Sequence, residues 1–510
     1  MDIPILLDPR SRHPLQGQLY EQVRHLILGG RLKPGTSLAS SRALATLLGV
    51  SRNTVMLAYE RLAAEGYLQM REGIGTYVSF ELPEDCLATE RLTPACSDER
   101  PCVVSRRPIA FEGRAHGVVN DGQLTCDFWL GRPDPHSFPI RAWRRLVNRR
   151  LLGAGARLTE YGEPAGLIEL RREIAERIGP ARGIDADPEQ IIVVGGCQEG
   201  LNLTARLLLR EGAVVAIENP AYQGAANLYE SYRARLVPVR VDDNGLRVAD
   251  LPEDGVVLAY VTPSHQYPMG FTMPLERRLR LLDWARRLGA YVVEDDYDSD
   301  FRYRGAPFPA LMGLDRHDSV IYMGSFSKSL GAGLRLGYLI VPRHLVGAAR
   351  TAKTLLNNGH PWLEQAVLAE FLASGGYDNH LRRIRKSYAE RRDCLLDSLR
   401  WYFGEIVVSG SECGTHIAWH LGASLPRATL MRSLAAERGV GLHDLPSSAA
   451  CDFGGCTYSE RTLLLGFSSL DERQIRGGIE RVAAALDPAH GSLRGLTRPR
   501  HPRPTTYVAP

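Results

Sequence analysis

A lysine, Lys328, stands in the glycine-rich stretch SFSKSLGAGLRLGY (325–338), with Arg335 seven residues further on. In such a setting a lysine can clamp a phosphate, attack a carbonyl carbon, or carry an ordinary surface charge. GSFSKS lacks the G-x-x-x-x-G-K-[ST] spacing of a P-loop. GAGLRLG precedes a strand instead of joining a strand to a helix, so it makes a poor dinucleotide fingerprint as well. The remaining two roles are separated by the other reactive side chains of the chain.

Upstream, VVEDDYDSDF ends a buried strand in acids. There Asp295 can pair with a ring nitrogen and Tyr297 with a ring hydroxyl. IIVVGGCQEGLNL reads as a strand, a glycine turn and a helix start, which is an anion cradle built from the N–H groups of Gly196, Cys197 and Gln198. ENPAYQG supplies Tyr222 as a face on which a ring can stack. Ser325 and Arg335 flank Lys328 at spacings suited to a phosphate, the guanidinium offering a two-pronged contact. Taken singly, Asp295 reads as a helix cap or solvated acid, Tyr222 as sheet-edge packing and Lys328 as a surface charge. Together they supply a phosphate site, an aromatic face, a carboxylate and an amine, the fittings that pyridoxal 5'-phosphate requires. Lys328 is then the amine that forms a Schiff base with its aldehyde, and Asp295 keeps the ring nitrogen protonated.

These groups must be carried by a sheet. Continuous apolar runs at QIIVV (190–194), AVVAIE (213–218), VVLAYV (256–261), YVVEDD (291–296), SVIYMG (319–324) and LGYLIV (336–341) read as strands buried on both faces. Helical stretches such as LERRLRLLDWARRLG (275–289) separate several of them. The pattern predicts an α/β domain with a mostly parallel sheet, ligands binding at the C-terminal strand ends, and a smaller C-terminal α+β subdomain.

The rest of the 510-residue chain divides by composition. Residues 1–80 are helix-rich and carry nine Lys/Arg against six Asp/Glu. Residues 81–122 are rich in Pro and charge without a sustained period and read as a linker. The long α/β region runs over 123–487, and 488–510 is a Pro/Arg-rich tail, with Arg494, Arg498, Arg500 and Arg503 and no acid, that reads as disordered. The two ends therefore carry the basic excess while the remainder is net acidic, which makes the ends the place where a polyanionic partner fits. The start MDIPILLDPR lacks a signal peptide's basic and apolar regions, and no apolar run reaches the length of a membrane helix. Nine scattered cysteines point to reduced thiols in a cytoplasm. Cys451 and Cys456 have no second ligand pair nearby, so no metal site is expected.

In the N-terminal segment, Leu19, Val23 and Leu26/Ile27 mark one helix face. Ser40 or Ser41 caps a second helix that Gly49 ends, and Ser51 caps a third with Val55, Tyr59 and Leu62 at core spacing. The short turn between them is a helix-turn-helix, and YLQMREGIGTYV (67–78) is a hairpin with Gly73 and Gly75 at its tip. In such a module Ser51, Arg52, Asn53 and Thr54 enter the major groove, where Arg reads guanine and Asn adenine. Arg42 takes a phosphate or a base, and Gly75 and Thr76 bring the wing to the DNA backbone.

PLQGQLYEQVRHLILGGRLKPGTSLASSRALATLLGVSRNTVMLAYERLAAEGYLQMREGIGTYV closely resembles the winged helix of GntR-type bacterial regulators. The motifs EYGEPAGLIELRREIAERIG, GGCQEGLNL, ENPAYQG, TPSHQYPMG, EDDYDSDF and GSFSKSLGAGLRLGY resemble fold-type I aminotransferases. The fusion resembles the MocR subfamily of transcription regulators. This resemblance implies Lys328 as the covalent lysine, Asp295 as the ring-nitrogen partner, Tyr297 on the ring hydroxyl and Tyr222 stacked on the ring. It also implies a phosphate held by Gly196, Cys197, Ser325 and Arg335, and by Tyr161 of a neighbouring subunit, hence a homodimer.

The chain departs from the aminotransferase pattern at two positions. Tyr267 stands where an Asn normally contacts the ring hydroxyl, and Leu464 stands where many of these enzymes place the arginine that grips a substrate carboxylate. GLHDLPSSAA (441–450) is a candidate lining of the effector pocket, with His443 either structural or functional, and Arg461 is expected to face elsewhere. The expectation is a cytoplasmic homodimeric regulator that binds double-stranded promoter DNA and senses pyridoxal phosphate or an amino compound condensed with it. No physiological turnover is expected, with vestigial transaminase activity left open. The alternative is an active aminotransferase with an accessory DNA-binding domain. A linker of about 40 residues spans roughly 35–40 Å as a flexible coil, comparable to one turn of DNA.

Overall fold

The computed structural model describes residues 5–9, 11, 13–71, 75–82, 124–305, 308–454, 456 and 458–486. The expected linker from residue 83, Gly73 at the hairpin tip and the basic tail lie outside the described residues. The chain divides into two compact units, Met1–Arg107 and Pro108–Pro510.

The first unit holds three helices, Leu15–Leu28, Ser41–Leu48 and Arg52–Ala64, and a small antiparallel sheet of Ser37–Leu38, Gly75–Val78 and Leu68–Arg71, in that order. The hydroxyls of Ser40 and Ser51 accept hydrogen bonds from Ala43 N (3.2 Å) and Thr54 N (3.1 Å). Each thereby satisfies a helix N–H that has no acceptor within its own helix. Gly49 stops the second helix at φ +65°, a left-handed conformation that a side chain would oppose. Leu19, Val23, Val55 and Leu62 are fully buried and bind the first helix to the third.

The second unit is built on an eight-stranded sheet. Its order is Ile191–Val194, Gly337–Ile340, Val320–Ser325, Tyr291–Asp296, Val256–Val261, Val214–Asn219, Arg235–Asp242, Gly245–Leu246. The five strands from Val320–Ser325 to Arg235–Asp242 are parallel. Gly337–Ile340 runs antiparallel to both its neighbours and the edge strand Gly245–Leu246 runs antiparallel to Arg235–Asp242, so the predicted mostly parallel sheet is interrupted at two places. Arg235–Asp242 lies beside the sheet edge, and its alternating exposure and internal Pro238 hide it from a search for continuous apolar runs. The expected α+β subdomain contains an antiparallel sheet ordered Val407–Ser409, His416–His420, Thr462–Gly466, His443–Asp444. The helices Gly376–Phe403 and Glu472–Leu486 pack against each other beside it. Among the described residues no helix is long and apolar enough to cross a membrane.

Candidate functional site

The strand Tyr291–Asp296 ends in three consecutive buried acids, Glu294, Asp295 and Asp296. Tyr260, on the adjacent strand, pairs with Val293, which places its phenol on the face that Asp295 shares two residues on. The phenol donates to Asp295 Oδ2 at 2.7 Å, and the Cys197 thiol donates to Oδ1 at 3.6 Å. Burial pushes the Asp295 carboxyl up to about 6, against the pull of these two donors and with help from Asp296 and Asp298. Burial also drives the Cys197 thiol well above its ordinary range, so it stays protonated and able to donate.

Lys328 lies in a single wide helical turn, Ser327–Gly331, immediately after the strand Val320–Ser325. Its Nζ donates to the carbonyl of Gly131 at 2.8 Å. Gly131 has φ +66°, and a Cβ there would lie 2.5 Å from Nζ. Burial lowers the Lys328 pKa, opposed by Cys197, Asp298 and Asp295, and so enriches the neutral, nucleophilic amine. Ser325 Oγ donates to Ser327 Oγ at 2.9 Å and accepts from Ser327 N at 3.1 Å.

Gly196, at φ +98°, precedes the helix Cys197–Leu208. The first N–H groups of that helix, on Cys197 and Gln198, come before any intrahelical acceptor. The guanidinium of Arg335 lies 3.3 Å from where a Cβ on Gly196 would sit, so the glycine keeps open the space between arginine and helix start. Behind the turn, Glu199 accepts from Gly195 N (2.7 Å), Asn357 Nδ2 (3.0 Å) and Lys353 Nζ. This buried brace was not anticipated from sequence, where Glu199 reads as one more polar residue of a helix start.

Tyr222, Tyr267 and Tyr297 form an aromatic wall, with Tyr267 edge-on to Tyr222 (5.7 Å) and to Tyr297 (5.8 Å). The Tyr297 hydroxyl donates to His265 O at 3.0 Å, and His265 Nδ1 is bonded to Asp298 Oδ2 at 2.9 Å. His265, Asp298 and His416 form the one cluster of potential metal-ligating side chains among the described residues. His416 Nε2 donates to Pro268 O at 2.9 Å, and burial pushes that imidazole down to about 4, whereas His265 Nε2 is buried without a hydrogen-bond partner. The segment 441–450 does reach the site, since Ala450 pairs with Tyr222 and Leu445 packs with Leu464.

The structure therefore brings Lys328, Asp295, Cys197, Gly196, Ser325 and Arg335 together with Tyr222 and Tyr297. Gly131 and Tyr260 belong with them and were missed: Gly131 is far away in sequence, and Tyr260 is concealed in an apolar strand. Tyr161 is 90% exposed. Leu464 is fully buried in an apolar cluster. Arg461 faces elsewhere, as expected, its guanidinium donating to the carbonyls of Leu421, Gly422 and Leu425. His443 holds Asp127 Oδ1 at 2.8 Å and stacks edge-on with Trp129, a structural engagement. A cradle kept open by glycine, an amine whose pKa burial lowers and a buried carboxyl fit a planar, phosphate-bearing aldehyde with a basic ring nitrogen.

In the first unit, Arg42, Arg52 and Asn53 are exposed around the start of the third helix, and Arg52 Nε contacts Ser41 Oγ at 3.4 Å. Ser51 is occupied as the cap and shares a 2.8 Å bond with the Thr54 hydroxyl. Gly75 (φ +135°) and Thr76 begin the second strand of the wing.

Residues 15–78 match the family described as bacterial regulatory proteins, gntR family, and residues 128–447 match aminotransferase class I and II. The chain is 36% identical over 486 residues to a probable rhizopine catabolism regulatory protein, MocR, of Rhizobium meliloti, covering 94% of this chain and 96% of that one. It is 32% identical to the pyridoxine biosynthesis transcriptional regulator PdxR of Corynebacterium glutamicum, covering 95% and 99%. Among solved structures it resembles the α-aminoadipate aminotransferase LysN of Thermus thermophilus, complexed with N-(5'-phosphopyridoxyl)-L-leucine. That match has a TM-score of 0.63 and 29% identity, covering 72% of this chain and 92% of that one.

Proposed function

The chain belongs to the MocR-type transcription regulators, in which a GntR-family helix-turn-helix precedes an aminotransferase class I and II domain, and from that premise we propose that it holds pyridoxal 5'-phosphate and uses it to sense a small amino compound or the cofactor itself. The observation that carries this reading is the convergence of Lys328, Asp295 and Arg335 on one cradle. Gly196, Cys197 and Gln198 with Ser325 and Arg335 take the phosphate. Asp295 holds the ring nitrogen, Tyr297 faces the ring hydroxyl and Tyr222 covers the ring. Bound there, the cofactor supplies an aldehyde that condenses with primary amines. Lys328, whose Nζ donates to Gly131 O, would be the amine that faces this aldehyde, Asp295 would keep a proton on the ring nitrogen, and the buried Tyr260 and Cys197 fix that carboxylate.

The protein acts as a homodimer in this reading. Tyr161, on the exposed stretch that also shows Leu151, Leu152 and Leu158, reaches toward the neighbouring phosphate. Arg52, Asn53 and Thr54 read promoter DNA, Arg42, Gly75 and Thr76 contact its backbone, and the dimer works in the bacterial cytoplasm, on the nucleoid when DNA-bound. A ligand switches it to the extent that it binds one DNA-binding arrangement of the dimer better than the other. Physiological turnover is not part of the function, because the wall at Leu464 lacks a grip for a substrate carboxylate.

The test is absorption spectroscopy of the purified protein. Adding pyridoxal phosphate to the wild type should produce a new near-visible band that Lys328→Ala does not form, while both retain operator affinity within a few-fold when no ligand is present. A wild type whose spectrum is only the sum of protein and free cofactor would overturn the cofactor assignment.

A further inference from the structure

We propose that the effector is a primary amine without a carboxylate next to its amino group, carrying an apolar substituent. The inference rests on the cofactor reading above, and it comes from the apolar cluster that begins next to the residue holding the amine of Lys328. Leu130 adjoins Gly131, the residue whose carbonyl holds Nζ. Leu130 packs with Met269, Phe271, Ala418, Leu445 and Leu464, and all six are at least nine-tenths buried. Tyr267 leans on this cluster while its ring faces both Tyr222 and Tyr297, so the apolar wall continues into the aromatic one.

A carboxylate placed against this wall needs a cation, and those of the described residues around the site are committed. Arg335 faces Gly196 on the phosphate side. Arg132 pairs with Asp127 at 3.4 Å, whose other oxygen holds His443 at 2.8 Å. Arg461 is held by three backbone carbonyls, and Lys353 is bonded to Glu199 behind the cradle. His265 holds Asp298 through Nδ1 and turns its unpartnered Nε2 toward the backbone of Gly270 and Gly410, and His416 is neutral and donates to Pro268 O. An amino acid's carboxylate would be buried there without a partner, whereas the amine made by removing it would place only carbon against Leu130, Leu464 and Met269.

The experiment compares matched pairs: phenylalanine with phenethylamine, tyrosine with tyramine, leucine with 3-methylbutylamine. Each is titrated into the pyridoxal-phosphate-loaded full-length protein and the spectral change recorded. The same pairs titrated into free cofactor correct for intrinsic amine reactivity. After correction, the amine of each pair should half-saturate at a concentration lower by at least about tenfold. Equal or tighter response to the amino acids would overturn the inference, as would a loaded protein that responds to neither member of any pair. Failure of the cofactor reading looks different, because no band forms before any amine is added. Leu464→Arg should move the preference toward the amino acids; if that variant does not fold, the wild-type comparison decides alone.

Discussion

Gly131→Ala should slow cofactor uptake about a hundredfold while leaving a folded protein. The new Cβ would lie 2.5 Å from Lys328 Nζ. Ordinary contact between such atoms begins near 3.5 Å, so the amine must retreat by about 1 Å. Lysine bends easily, and the displacement costs the fold little. Its effect falls on chemistry, since a misplacement of about 1 Å at a reacting atom can cost on the order of 100-fold in rate. A second effect comes from φ +66°, where alanine pays about 1–2 kcal/mol of left-handed strain. Gly255→Ala separates the two: its φ is +68°, and nothing lies within 4 Å of the new Cβ. Both variants should lose comparable stability in urea, and only Gly131→Ala should show slowed growth of the absorption band in a stopped-flow mix with pyridoxal phosphate. Wild-type uptake by Gly131→Ala, or equal slowing in Gly255→Ala, would refute the contact as the cause.

Asp295→Asn should stabilise the cofactor-free protein above pH 7 by about 2–3 kcal/mol, the worth of a two-unit shift. The folded pKa, raised to about 6, lies above the unfolded value, so the folded state gains relative stability below about pH 4 and loses it as pH rises through 6. The advantage of Asn should therefore shrink toward pH 4 in chemical-denaturation series, and a gap that widens on acidification would contradict the assignment. Arg52→Ala should weaken operator binding by about 1–3 kcal/mol in fluorescence anisotropy and leave the cofactor band unchanged; unaltered affinity would remove Arg52 from the interface. Ser51→Ala should cost about 1 kcal/mol of winged-helix stability through loss of the cap on Thr54 N, read by hydrogen exchange along the third helix; protection equal to wild type would show that Thr54 finds another partner.

The winged helix was legible almost residue by residue, because its helix starts are hydroxyl caps and its core follows helical spacing. Ser40, Ser51, Gly49 and the buried face of Leu19, Val23, Val55 and Leu62 all act as their types suggest. The acids at the end of Tyr291–Asp296 and the glycine turn before Cys197 were legible for the same local reason. Groups supplied by remote strands were not. Gly131 meets Lys328 across 197 residues, and Tyr260 reads as one more apolar position of VVLAYV until the parallel register places it beside Asp295. The direction of Gly337–Ile340 was equally hidden, since an apolar run has the same appearance in either orientation.

That reversed strand has a consequence for how a ligand is gripped. A parallel successor to Val320–Ser325 would need a long crossover. The antiparallel turn instead spans only residues 326–336, and both Lys328 and Arg335 lie within it. The Lys328 amine and the Arg335 guanidinium therefore ride on one short tether. A displacement of that turn as a whole would carry both groups with it, so the spacing between them is set locally, by eleven residues, and not by the packing of distant elements.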